Sequence, residues 1–145
     1  MTPQQIQLVR SSFAQVAPIA PQAAALFYRH LFAADEAVAR LFKGDMAVQG
    51  DKLMRMLGTA VALLDQPQQL MPVLHRLGER HAGYGVLPRH YDTVGAALLR
   101  TLAEGLGEAF TEEVCDAWCE LYGLVSRTML AAAVLAERDE AVVVG

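Results

Sequence analysis

The sequence predicts an all-α protein, one helical domain of 145 residues. Three observations predict it. Apolar residues recur at helical spacing through nearly every segment, giving one buried stripe per segment. β-branched runs are short, and no hairpin signal such as Asn-Gly occurs. Proline and glycine fall between the periodic stretches as punctuation rather than inside strands.

Composition narrows the class. Apolar residues make up 54% of the chain and charged residues 19%, and the net charge is −4. An acidic chain with a pI near 5.5 does not carry the basic footprint of a nucleic-acid binder. No run approaches the length of an uncharged membrane helix, so no span is expected. The N-terminus enters a helix signal directly, which places the protein in the cytoplasm. Cys115 and Cys119, the two cysteines, stand four apart on one helix. A bridge between them would be strained, so they read as small hydrophobes or idle thiols.

The elements follow in order. Thr2-Pro3-Gln4-Gln5 resembles a capping box with proline at the first helical position. Ile6, Val9, Phe13 and Val16 form the first stripe, and Pro18 and Pro21 end it. The second helix runs from about Pro21 to Phe32, with Ala24, Phe27, Tyr28 and Leu31 on one face. Asp35 caps a short helix ending near Leu41 and Phe42. A fourth helix spans about Ala47 to Leu64, with Leu53, Met56, Leu57, Ala60 and Leu64 inward. Gln49 falls on that stripe, four residues before Leu53, and Lys52 lies at its margin.

Leu70, Leu74, Leu77, Gly78 and His81 make the next stripe, closed by Gly83 and Gly85. Its last member is an imidazole, either a satisfied core histidine or a metal ligand. Pro88 opens another helix, with Tyr91, Val94, Gly95, Leu98 and Leu102 inward, stopped by Gly105-Leu106-Gly107. Thr111 caps the last long helix, which carries Val114, Trp118, Leu121, Val125 and Met129. Residues 1–137 form the domain, and residues 138–145 read as a frayed, disordered tail. His30, His75 and His90 lie off the stripes and read as surface residues. Tyr84 reads as packing the corner after the histidine helix.

Tyr28, Gln49 and His81 are thus polar residues on inward stripes of three helices. A buried carboxamide or phenol needs a polar partner. Three together point to a common guest that is apolar, fits between helices and presents a metal. Haem meets those terms, with a neutral imidazole as donor to the iron.

The stretch Leu77-Gly78-Glu79-Arg80-His81-Ala82-Gly83-Tyr84-Gly85-Val86 resembles the proximal segment of neuroglobin-like and bacterial single-domain globins. His90-Tyr91-Asp92-Thr93-Val94-Gly95, Ala117-Trp118 with Tyr122-Gly123, and Phe27-Tyr28 before Leu31-Phe32 are similar to flavohaemoglobin haem domains. The likeness covers about residues 4 to 133. It implies the globin fold, a three-over-three helical sandwich around a haem b pocket. It implies His81 as proximal ligand and metal-binding residue, with Gln49, Tyr28 and Leu53 on the distal side. It implies Phe42 as the ring-wedging aromatic, Leu77, Val86, Tyr91 and Val94 along the cofactor, and Lys52 and Arg80 toward the propionates. The glutamate that supports the proximal histidine in flavohaemoglobins falls on an apolar part of the last helix. The flavin and nicotinamide domains of that family lie outside this length.

Three functions compete. The leading one is reversible binding of oxygen, nitric oxide and carbon monoxide. The second is a nitric oxide dioxygenase fed by a separate reductase. The third is a signalling module that senses gas or redox state, or works without haem.

Overall fold

In the computed structural model, the backbone is described for residues 1–144 and the side chains for residues 1–136. The described residues form helices α1 (Pro3–Val16), α2 (Ala20–Ala34), α3 (Glu36–Ala39), α4 (Met46–Ala62), α5 (Pro67–Gly83), α6 (Pro88–Leu106) and α7 (Glu112–Val144). Short 3₁₀ turns at Ala17–Ile19 and Gly107–Ala109 join α1 to α2 and α6 to α7. No strand occurs among the described residues. The proposed tail, 138–145, lies outside the described side chains, although the backbone of α7 continues through most of it.

Local chemistry sets the ends. The Thr2 hydroxyl accepts from the Gln5 N–H and the Gln5 side chain accepts from the Thr2 N–H, a reciprocal cap. Asp35 and Asp45 accept from the second residues of α3 and α4, and Thr111 accepts from Val114 at the start of α7. α3 stops at Ala39, short of the expected Leu41–Phe42. Two further turn bonds, Leu41 to Val38 and Phe42 to Ala39, carry the chain to Phe42.

α5 lies along α7, α2 crosses α4 and α6, and α1 packs on α7. This is the helical sandwich of the globin fold. Val9, Leu31, Leu70, Leu74 and Trp118 are buried at its centre. The Trp118 indole N–H donates to the Ser12 hydroxyl at 2.8 Å, so the buried indole is satisfied. The segment Glu112–Ala136 of α7 is long and apolar enough to cross a membrane, by length and composition. The same segment supplies Val114, Ala117, Trp118, Leu121, Met129 and Ala132 to the core.

At Gly78 the α5 backbone lies directly against the α7 backbone. A Cβ there would stand 2.8 Å from the Met129 Cα and closer still to its carbonyl. Both neighbours are backbone and cannot swing aside. Gly78→Ala must therefore separate α5 from α7, at about 1–3 kcal/mol or more. The expected result is a lower urea midpoint with an unchanged slope. An unchanged midpoint would mean that the crossing yields freely.

Two surface expectations fail. His90 is buried, at 4% exposure, because its Nδ1 accepts the Leu87 N–H at 2.9 Å. That bond satisfies a free donor at the start of α6 and draws the ring inward. His30 faces α6, with Nε2 3.1 Å from Glu104 Oε1. Tyr84, expected to pack the corner, is instead 67% exposed.

Candidate functional site

α4, α5, α6 and α7 enclose an apolar cavity. Its walls include Leu53, Leu57, Leu77, Val86, Val94, Leu98 and Val125, with His81, His90, Tyr91 and Tyr122 as the members that carry polar atoms. The cavity volume is about 140 Å³, smaller than the roughly 300–1,000 Å³ of a typical ligand pocket, so the walls must part for a large guest.

His81 reaches this cavity from the last turn of α5. Its Nδ1 lies 2.8 Å from the Leu77 carbonyl oxygen, one turn back. A carbonyl can only accept, so Nδ1 carries the proton and Nε2 keeps its lone pair. The N–H groups of Tyr84 and Val86 both donate to the His81 carbonyl at 3.1 Å, which folds the corner back onto this residue. Burial pushes the His81 pKa down, and the Arg80 guanidinium acts the same way, against the Leu77 bond. The imidazole is therefore held neutral, the form that donates to a metal.

That shift has a sign for stability. The folded pKa lies below the unfolded value of about 6.5. Below that value the unfolded chain takes a proton that the folded chain resists, so this contribution is present above about pH 6.5 and is lost as pH falls toward the folded pKa. Haem-free protein should lose stability between neutral and mildly acid pH. His81→Gln should lose less over the same window, as urea unfolding at several pH values would show. Parallel curves for the two proteins would contradict the assignment.

Two further groups on wall residues are without partners among the described residues. Tyr91 Oη and His90 Nε2 are buried and unbonded. Because His90 Nδ1 accepts from Leu87, its proton sits on Nε2. An apolar lining with one neutral imidazole and two orphaned donors matches the chemistry of a mostly apolar, metal-bearing guest. His81, Leu53, Leu77, Val86, Tyr91 and Val94 are the expected cofactor residues that line it.

The expected distal group lies beside this space. The Tyr28 hydroxyl donates to the backbone carbonyl of Gln49 at 3.2 Å. The Tyr28 ring stands edge-on to Phe42, with centroids 5.2 Å apart, and Phe42 also packs on Phe32. Burial pushes the phenol pKa up to about 12, so it remains a neutral donor. Tyr28, Gln49 and Phe42 are not in the cavity wall, whereas Leu53, one turn along α4 from Gln49, is. Gln49 is half-buried, and Lys52 and Arg80 are exposed. Sequence reasoning gave no cofactor role to Phe27, Leu57, His90, Leu98, Tyr122 or Val125, among other wall residues. The signal for His90 was its place three residues after the helix-start residue Leu87, where a side chain can reach back to the chain.

Cys115 is half-buried and Cys119 exposed, and both are free. Burial, Cys115 and the acids Asp116 and Glu120 raise the Cys119 pKa, which disfavours its thiolate.

Comparison with known proteins agrees with this architecture. A flavohemoprotein of Bordetella parapertussis is 34% identical over 122 residues, covering 78% of this chain and 30% of that protein. Flavohemoproteins of Chromobacterium violaceum and Rhizobium meliloti are 32% and 33% identical, covering 72% and 67% of this chain and 26% and 25% of theirs. The chain thus spans about a third or less of these relatives. The globin family profile matches residues 25–129, a stretch that holds Tyr28, the cavity walls and His81, and the chain belongs to the globin family.

Proposed function

We propose that this globin holds haem b through His81 and binds oxygen, nitric oxide and carbon monoxide. One observation carries the reading. The His81 Nδ1–H is tied to Leu77, which leaves Nε2 its lone pair, and the residue lines the wall of an apolar cavity. When bound, the haem would supply an iron centre for diatomic ligands. The chain's own part is to orient the imidazole, exclude water with Leu53, Leu57, Leu77 and Val94, and offer Tyr28 and Gln49 as distal donors. Phe42 would steady the ring, with Lys52 and Arg80 reaching the propionates. The setting is taken as the cytoplasm.

The test is an absorption spectrum of freshly purified protein, repeated after adding hemin. A Soret band that shifts with carbon monoxide after reduction is expected. No Soret band after hemin would overturn the reading and leave a haem-free signalling role.

A second reading is favoured by the flavohemoprotein relatives and by the contact of Tyr28 with the Gln49 backbone. It is nitric oxide dioxygenation, in which nitric oxide, oxygen and one electron give nitrate. The electron would come from a separate reductase. Sustained nitrate formation with a reductase present supports it, and a single turnover only would leave the gas-binding reading.

A further inference from the structure

Apart from Arg80, offered above to the propionates, the surface of the α5–α6 corner has no assigned role. Arg76, Arg80 and Tyr84 follow one another at intervals of four along α5 and its cap, and all are exposed. Leu87, 41% exposed, and Arg89 continue the same corner. Tyr84, at 67% exposure, is the most exposed large hydrophobic residue of the described chain. Arg76, Arg80 and Arg89 make no ion pair among the described residues. Between positions 76 and 89 the only acid is Glu79, so this stretch is basic in a protein of net charge −4. An exposed aromatic framed by unpaired arginines is the composition of an interaction hot spot, not of a solvated face.

The corner is also tied to the cavity. The N–H groups of Tyr84 and Val86 bond the carbonyl of His81. A protein bound here would sit within a few residues of the imidazole. Electron transfer falls off steeply with distance, so this is where a donor would profit from docking. We propose that the α5–α6 corner is the docking surface for the acidic face of a separate electron-donor protein. Charge complementarity selects the partner and sets its encounter rate, and Tyr84 with Leu87 supplies the apolar contact. The proposal rests on the haem reading above and on its reductase-fed form.

The test uses the haem-loaded chain and a flavodoxin, an acidic flavin-carrying donor, as probe. Binding is measured by calorimetry at low and high salt, independently of any turnover. Wild-type binding should weaken with salt, because the pairing is between exposed charges. The double variant Arg76→Glu/Arg89→Glu should weaken low-salt binding by about tenfold or more. Tyr84→Ala should weaken it at high salt, where the charge contribution is screened. A control with the same charge change elsewhere, Arg29→Glu/Arg55→Glu, should weaken it much less. No wild-type binding, or equal losses in both double variants, would overturn the proposal. Absence of a Soret band in the starting protein would instead overturn the haem reading.

Discussion

Replacing His81 with alanine is expected to remove most haem affinity and to change the ferrous carbonyl spectrum. The argument runs from the backbone outward. α5 ends in a turn whose corner donates two hydrogen bonds to the His81 carbonyl, so the residue cannot drift. Its Nδ1–H is fixed on Leu77, so the ring cannot present the wrong nitrogen. Burial holds it neutral. Removing only an outer partner of such a ligand typically costs about 10–100-fold in affinity, and losing the ligand itself should exceed that. Added imidazole should restore part of the spectrum, because the apolar walls remain. Hemin titration of wild type and variant, with and without imidazole, checks this. Unchanged ferrous spectra would mean that another group ligates. His75 is exposed and off the cavity, so the next candidate would be His90, which could ligate only by surrendering its Nδ1 bond to the Leu87 N–H and moving its proton off Nε2.

The contrast between His81 and His90 shows what was legible. His81 closes an apolar stripe of helical period and is followed by Gly83 and Gly85, so periodicity and a stop signal locate it without a structure. His90 stands off the stripe of its helix. It is buried because of a local bond to the Leu87 N–H, and a cap of that kind leaves no periodic trace. The fold class was legible for the same reason as His81: every long helix shows its buried face in the order of its residues. Tyr28 and Gln49 were legible only in part. Their stripe positions place them at the α2–α4 crossing, where they do sit. Periodicity does not say which side of a crossing a ring takes, and here the phenol turns to the Gln49 backbone.

That arrangement sets the last expectation, faster oxygen release on Tyr28→Phe. The phenol is buried among Phe27, Phe32 and Phe42, so phenylalanine keeps nearly the same shape. What is lost is one donor, which stays protonated because its pKa is pushed up to about 12. Its present acceptor is a neutral carbonyl at 3.2 Å, a long bond that a better acceptor can replace. Oxygen as a haem ligand draws negative charge outward, whereas carbon monoxide draws little. A hydrogen bond to a charged acceptor is worth about 1.5–3 kcal/mol, or roughly one to two orders of magnitude in rate. Oxygen dissociation should accelerate by that factor, and carbon monoxide dissociation should change far less. Gln49→Leu should act in the same direction. The double variant should fall short of the product, since both donors would serve the same oxygen ligand. Off-rates of both gases from wild type, the two single variants and the double variant give the answer. Equal acceleration for both gases would assign the pair to size or access. No acceleration for either would mean that Tyr28 stays on the Gln49 carbonyl when the pocket is filled.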